Sequence, residues 1–88
     1  MTYHVYVLRN PENRFYIGFT ADLARRLFEH QNGLAGWTRS RGPWDLVYQE
    51  AFDDRAQAIR RERALKSGQG RASLRERLSG RAGPPQAD

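Results

Sequence analysis

The sequence predicts an α+β domain with a small, mainly antiparallel sheet and helices packed against it, in the order ββαβαα. Segments rich in β-branched and aromatic residues begin the chain and recur at residues 44–52. Segments with apolar residues at helical spacing follow the second and third of these strands. Because 88 residues suffice for one hydrophobic core, we expect a single domain over residues 1–80.

The first two strands should form a hairpin. Residues 3–8 and 14–19 are mostly β-branched or aromatic, which favours strands. The intervening segment 10–13, Asn-Pro-Glu-Asn, combines a proline that fixes φ with asparagines that tolerate unusual dihedral angles. We therefore expect a tight turn between the two strands.

This hairpin carries one tyrosine on each strand. A three-residue loop that pairs Arg9 with Asn13 would place Tyr6 and Tyr16 on one face, whereas a one-residue slip would separate them. Taken alone, two tyrosines on a hairpin favour core or cross-strand packing over catalysis. A shared face would leave a catalytic role open.

The first helix should begin near Thr20. This residue is the predicted N-cap, and Asp22 in the first turn favours the helix dipole. Leu23 and Leu27 form the apolar stripe, and Asn32-Gly33 is typical of a helix end. The helix is therefore expected to span about 20–32.

An irregular loop, a strand and a second helix come next. The loop is expected at residues 33–43 and the strand from Trp44 to Phe52. Asp54, followed by Gln57 three residues later, predicts the N-terminus of the second helix through a capping box. This helix should run to about Lys66.

The end of the chain is strongly basic. Residues 67–70, Ser-Gly-Gln-Gly, predict a break before a short helix at about 71–79, and we expect residues 81–88 to form a flexible tail. Residues 55–81 carry a net charge of +7, whereas residues 1–54 carry −1. This asymmetry indicates either a polyanion partner, with nucleic acid as the first candidate, or a solvated basic face.

Composition excludes several classes of protein. The chain has no cysteine, so it has neither a disulfide framework nor a cysteine-based zinc site. We expect neither a secretion signal nor a membrane span, because no apolar run approaches ~20 residues. These features predict a cytoplasmic protein with no membrane partner and no small-molecule ligand.

Two residues of the first helix are candidates for chemistry. Arg26 and His30 are four residues apart and therefore lie on one face. Their structural alternatives are a surface ion pair between Arg26 and Asp22, and an interaction of His30 with the last helical carbonyls. The sequence alone favours these structural roles.

Glu62 is more informative because it lies along the apolar stripe of the second helix. Ala58, Glu62 and Leu65 follow i, i+4, i+7 spacing. A carboxylate there must be paired with an arginine or bind a cation. Mg²⁺ suits one carboxylate together with waters and phosphate oxygens of a substrate.

An ordered set of short motifs runs through about residues 3–80. Its members are His4-Val5-Tyr6, Tyr16-Ile17-Gly18, Thr20, Leu23, Arg26-Leu27, Glu29-His30, Thr38-Arg39, Leu46-Val47-Tyr48, Arg61-Glu62 and the run Leu65–Arg71. This set resembles the GIY-YIG nuclease domain, and the last run is similar to its small stand-alone, UPF0213-like bacterial branch. One departure is His4, which stands where the family name has glycine.

The resemblance implies a metal-dependent endonuclease on a three-stranded antiparallel sheet flanked by helices. Tyr6 would then orient or deprotonate the attacking water, either with a depressed pKa or through a relay to His30. Tyr16 would assist, Arg26 would hold the scissile phosphate, and Glu62 would bind one divalent ion, Mg²⁺ or Mn²⁺.

The expected substrate is DNA, either single-stranded or branched and damaged, as in DNA repair. Trp37 could stack on an unpaired base or pack within the protein. Six residues are expected to bind the nucleic acid: Trp37, Arg39, Arg41, Arg61, Lys66 and Arg71. The alternatives are a non-catalytic nucleic-acid-binding module and an adaptor whose basic face meets an acidic protein.

Overall fold

A computed structural model describes the backbone of residues 1–82 and the side chains of residues 1–78. Its elements are β1 (Tyr3–Arg9), β2 (Phe15–Thr20), α1 (Leu23–Gln31), β3 (Asp45–Phe52), α2 (Arg55–Lys66) and α3 (Gly68–Ala82). The order ββαβαα confirms the predicted α+β class. None of the helices within residues 1–82 is both long and apolar enough to cross a membrane.

The three strands form one antiparallel sheet with β1 in the centre. The strand order is β2-β1-β3, and β1 is antiparallel to both neighbours. Four consecutive residues of β1, from Val5 to Leu8, are almost completely buried. A strand buried on both faces must lie between two other layers, which explains why β1 is the central strand.

Alternate residues of β1 belong to two different cores. One core joins Val5, Val7 and Ile17 to Ala58, Leu65 and Leu74, so α2 and α3 cover one face of the sheet. The other core is built around Tyr6, Leu8 and Trp44, with Leu23 and Leu27 of α1 packed against it. Tyr6 therefore lies between the sheet and the layer of α1.

The hairpin has a longer loop than the sequence predicted. Arg9 pairs with Phe15 rather than with Asn13, so five residues separate the paired strand ends. Asn10 explains the difference, because its side-chain oxygen accepts hydrogen bonds from the backbone of Glu12 and Arg14 at 3.1 and 2.8 Å. The register keeps the even parity that places the two tyrosines on one face.

The first helix begins two residues later than predicted. Asp22, not Thr20, is the N-cap, and its carboxylate accepts from the backbone N–H of Arg25 at 3.1 Å. Thr20 instead accepts from the backbone N–H of Asp22 in the preceding turn, at 3.0 Å. The predicted cap of the second helix is confirmed, because Asp54 accepts from the backbone N–H of Ala56.

The break between the last two helices is narrower than predicted. Only Ser67 separates α2 from α3, and its hydroxyl accepts from the backbone N–H of Gly70 at 3.0 Å. Gly70 lies so close to α2 that a Cβ would approach the Leu65 Cα to 2.8 Å and collide with the Ala64 carbonyl. The glycine that predicted a break therefore permits close helix packing.

The third helix is also longer than the predicted span of 71–79, since it runs from Gly68 to Ala82. It includes residues 81 and 82 of the predicted tail 81–88. Residues 83–88 lie outside the described residues.

Candidate active site

The tyrosine of the central strand is held by a glycine below it and a histidine above it. Tyr6 is 1 % exposed and pairs across the sheet with Gly18 of β2. A Cβ on Gly18 would approach the Tyr6 hydroxyl to 2.8 Å, so the phenol occupies the space of the missing side chain. Its Oη lies 2.9 Å from Nε2 of His30, which is buried in the last turn of α1.

The other nitrogen of His30 is also engaged. Nδ1 lies 2.7 Å from Oγ1 of Thr38, and this hydroxyl donates to the Ala35 carbonyl at 3.4 Å. With its one proton directed at that carbonyl, the hydroxyl accepts the proton of Nδ1. Nε2 is then left unprotonated and accepts from the Tyr6 hydroxyl, so the hydrogen bonds run in one direction from Tyr6 through His30 to Thr38.

The protonation states of Tyr6 and His30 agree with the direction of these hydrogen bonds. Burial raises the pKa of the Tyr6 phenol to about 12, and hydrogen bonding from Arg26 offsets only part of this increase. Burial, and secondarily the positive charge of Arg26, lowers the pKa of His30. Both groups are therefore neutral near pH 7. A raised pKa disfavours a Tyr6 phenolate, so the relay to His30 is the alternative that the geometry favours.

The second tyrosine joins this cluster from β2. The ring of Tyr16 lies 4.8 Å from the His30 ring and 6.2 Å from the Tyr6 ring, measured between centroids. Its ring also stacks with the Trp37 indole, at 6.0 Å and an interplanar angle of 22°. The Arg41 guanidinium lies 4.6 Å from the indole centroid. Trp37 thus contacts both an aromatic ring and a cation while remaining 46 % exposed.

Arg26 reaches the cluster from α1. Its guanidinium is paired with Glu29, one turn further along the helix, with 2.6 Å between Nη1 and Oε1. This pairing holds the pKa of Glu29 below its ordinary value. The ion pair with Asp22 expected as the structural alternative is wrong, because the Asp22 carboxylate caps the helix instead. Arg26 also contributes to the pKa of Tyr6, so the guanidinium lies beside the phenol.

Glu62 approaches from the opposite layer of the fold. Its side chain is 16 % exposed, and Oε2 lies 3.1 Å from Nζ of Lys66. The expected arginine partner is therefore a lysine. Burial is the main cause of the raised pKa of Tyr6, and the negative charge of Glu62 makes a minor contribution to it.

A single carboxylate is the candidate metal ligand. Within the part of the chain that the structure describes, no group of three or more histidine, cysteine, aspartate or glutamate side chains could hold a metal ion. This donor set fits Mg²⁺ or Mn²⁺ that takes its other ligands from water and substrate phosphate. It does not fit a structural site closed by four protein ligands.

The six predicted nucleic-acid contacts fall into three groups. Trp37, Lys66 and Arg71 line one cavity beside Tyr16. Arg39 and Arg41 are exposed on the loop before β3. Arg61 is instead paired with Glu50 of β3, at 2.8 Å between Nε and Oε1.

Some residues that build the site had no assigned role in the sequence. Thr38 belonged to a motif, but its contact with His30 depends on the path of the loop. Asn10 is buried, and its Nδ2 donates to the Arg41 carbonyl at 3.0 Å, so it joins the hairpin loop to the loop before β3. His4, the departure from the first triplet, has a buried Nδ1 with no hydrogen-bond partner among the side chains and backbone that the structure describes.

Comparisons with known proteins place the chain in a family. The family model described as the GIY-YIG catalytic domain matches residues 2–75. A UPF0213 protein of Halobacterium salinarum is 42% identical over 65 residues, which cover 73% of this chain and 84% of that protein. A UPF0213 protein of Streptococcus agalactiae is 39% identical over 72 residues, covering 81% and 82%.

Solved structures extend the likeness to the fold. The solution structure of a UPF0213 protein from Bacillus halodurans has a TM-score of 0.55 and 35% identity, covering 86% of this chain and 84% of that chain. A protein from E. faecalis has a TM-score of 0.57 and 30% identity, covering 89% and 88%.

The fold and the family match together define the class: the chain belongs to the GIY-YIG domain family, whose model covers most of its length. Within that family its relatives and its structural neighbour from Bacillus halodurans are UPF0213 proteins, and the chain is a member of that group. The resemblance stated from the sequence is confirmed.

Proposed function

We propose that the protein is a metal-dependent endonuclease that hydrolyses phosphodiester bonds in DNA, either single-stranded or branched and damaged. Membership of the GIY-YIG family supports a nuclease and a nucleic-acid substrate. The observation that carries the proposal is the directed chain from Tyr6 through His30 to Thr38, beside Arg26 and Glu62. The cysteine-free sequence suits a reducing compartment, and we propose that the enzyme acts in the cytoplasm.

Tyr6 would activate the attacking water through His30. As the water oxygen forms its bond to phosphorus and the bond to the leaving oxygen breaks, a water proton passes to Oη of Tyr6 while the phenol proton transfers to Nε2 of His30 along the hydrogen bond, in which Oη and Nε2 are 2.9 Å apart. The tyrosine is neutral before and after the step, which avoids a phenolate whose formation the raised pKa opposes. The imidazolium retains its Nδ1 hydrogen bond to Thr38.

Arg26 would meet the charge that develops on the phosphate. A guanidinium offers a rigid fork of donors to two non-bridging oxygens. Its pairing with Glu29 fixes the guanidinium beside Tyr6 before the substrate arrives. Because this orientation exists in advance, little reorganisation accompanies the reaction.

Glu62 is the residue that would hold the divalent ion, and Lys66 would compensate its charge until then. When bound, the ion stabilises negative charge on phosphate and leaving oxygens. DNA would bind through the phosphate backbone, since the net charge is +5 and basic residues concentrate in the last third of the chain.

A cleavage assay tests the proposal. Labelled single-stranded, duplex and branched DNA are incubated with the protein and Mg²⁺ or Mn²⁺, and with EDTA. We expect cleavage only with the metal, and a loss of about 100-fold or more in Glu62→Gln and in Arg26→Ala. The matched controls are Glu76→Gln on α3 and Arg25→Ala on α1, whose side chain is 73% exposed; both should cleave as the wild type does.

The same assay separates the alternatives. Salt-sensitive DNA binding without cleavage, unchanged in Glu62→Gln, would favour a non-catalytic binding module. Absence of salt-sensitive DNA binding would favour an adaptor for an acidic protein. Equal cleavage by the Glu62 and Glu76 variants would contradict the assignment of the metal ligand.

A further inference from the structure

We propose that a cavity beside Tyr16 binds one unpaired nucleotide of single-stranded DNA, next to the phosphate to be hydrolysed. This inference rests on the proposed function and narrows its substrate. The cavity has a volume of about 410 Å³ and lies between the hairpin, Trp37 and the junction of α2 with α3. That volume is near the lower end of the range for small-molecule sites, ~300–1,000 Å³, which suits a single nucleotide.

One wall of the cavity is aromatic and apolar. Tyr16 and Trp37 both line it, with Phe15 and Ile17 beside them. The indole is already oriented by its stack with Tyr16 and by the guanidinium of Arg41, so little side-chain freedom is lost when a base packs against it. Flat aromatic surfaces of this kind bind bases of any sequence.

The rest of the lining, which we call the cationic wall, carries basic side chains. Among the residues that the structure describes, the cavity is lined by four basic residues and no acidic one: Arg14, Lys66, Arg71 and Arg75. Arg71 and Arg75 are one helical turn apart and share a face of α3. Arg71 is oriented by a hydrogen bond from its Nε to the Lys66 carbonyl, at 3.2 Å. This wall is therefore suited to a phosphate group.

The two walls together determine the ligand. Aromatic and cationic side chains lining one cavity fit a base linked to a phosphate, and a base in a duplex has both faces stacked and could not use the aromatic wall. The cavity also adjoins the reaction site, because Tyr16 contacts His30 and Lys66 is paired with Glu62. The bound nucleotide would therefore be a neighbour of the scissile phosphate.

Binding measurements in EDTA test this pocket without any cleavage. The probes are oligothymidylate of about 15 nucleotides and an oligomer of abasic sugars with the same number of phosphates. We expect wild-type protein to prefer the base-bearing oligomer about tenfold or more. Trp37→Ala should lose most of that preference, whereas Trp37→Phe, which keeps a flat ring, should retain most of it.

The cationic wall has its own readout. Arg75→Gln should weaken binding of both oligomers and reduce the salt slope by about 0.7, the value for one phosphate contact on a single strand. Arg60 is an exposed residue of α2 outside the cavity. Arg60→Gln makes the same charge change there and should leave the salt slope unchanged. A slope that falls equally in both variants would overturn the phosphate assignment.

Equal wild-type affinity for the two oligomers would overturn the pocket. If that protein still cleaves DNA in a metal-dependent manner, the nucleotide-binding proposal is refuted and the nuclease proposal is not. A base preference that depends on Trp37, in a protein that cleaves nothing, would support the pocket and refute the nuclease proposal.

Discussion

Replacing Gly18 with alanine should displace the tyrosine on which the proposed chemistry depends. The new Cβ would lie 2.8 Å from Oη and 3.0 Å from Cζ of Tyr6, and 3.2 Å from Cε2 of Tyr16. The hydroxyl must retreat by about 0.6 Å to restore a contact of 3.4 Å, the lower limit of ordinary van der Waals distance. Because the Tyr6 ring is buried on the central strand, it cannot swing into solvent.

The size of the effect follows from the hydrogen bond to His30. A shift of about 0.6 Å along its axis would either stretch the Oη–Nε2 distance from 2.9 Å to about 3.5 Å, where little of the bond remains, or compress it into a steric clash with the His30 ring. A misplacement of about 1 Å costs on the order of 100-fold in rate. We therefore expect Gly18→Ala to cleave roughly 10- to 100-fold more slowly and to lose about 1–3 kcal/mol of stability through overpacking.

The assay combines cleavage rates with urea unfolding. Gly68→Ala is the matched control, because a Cβ at Gly68 would meet nothing within 4 Å, and it should cleave at the wild-type rate. Adding Tyr6→Phe to Gly18→Ala removes the nearest clashing atom, so stability should partly recover while cleavage stays low. Wild-type cleavage and stability in Gly18→Ala would refute the packing of the phenol against this glycine.

Three further predictions concern buried contacts. Thr38→Val removes the acceptor of the His30 Nδ1 proton and should slow cleavage and shift its pH profile. Thr38→Ser keeps the hydroxyl and should retain the wild-type rate and pH profile. Equal activity of the two variants would contradict the tautomer assignment. Gly70→Ala forces a Cβ against the α2 backbone and should lower the unfolding midpoint far more than Gly68→Ala does; equal midpoints would contradict the close helix packing. Because burial lowers the pKa of His30 on folding, the unfolded chain binds more protons than the folded chain between the two pKa values. The stability that neutral His30 contributes is therefore complete above the unfolded pKa of about 6.5, and it is lost as the pH falls to the lowered value. Unfolding measured against pH should show this loss in wild-type protein and a smaller one in His30→Gln; identical curves would contradict it.

Local patterns in the sequence were enough to predict the order and type of every element. Residues 3–8 and 44–52 have strand composition, and Asp54 supplies a helix cap through a hydrogen bond to its own neighbour. The predicted start of a helix was wrong where two nearby side chains could both act as its N-cap. Thr20 and Asp22 are both cap residues, and only the hydrogen bonds of the folded chain show which of them caps the helix.

The site was only partly predictable because its contacts join distant segments. Motif spacing indicated Tyr6, Arg26 and Glu62, and in the structure the charges of Arg26 and Glu62 both act, after burial, on the pKa of Tyr6. The Thr38 contact depends on an irregular loop whose course no periodicity describes. Gly70 was misread for a related reason, since a glycine that ends a helix and one that admits a neighbouring helix look alike in sequence.

The most direct test of the proposed site is a crystal structure of the Tyr6→Phe variant with Mn²⁺ and a short single-stranded oligonucleotide. We predict an anomalous peak for manganese at the Glu62 carboxylate, shared with a phosphate oxygen, and the same phosphate within hydrogen-bond distance of Arg26. Manganese and DNA bound on another surface, with the space between Arg26 and Glu62 filled only by water, would contradict it.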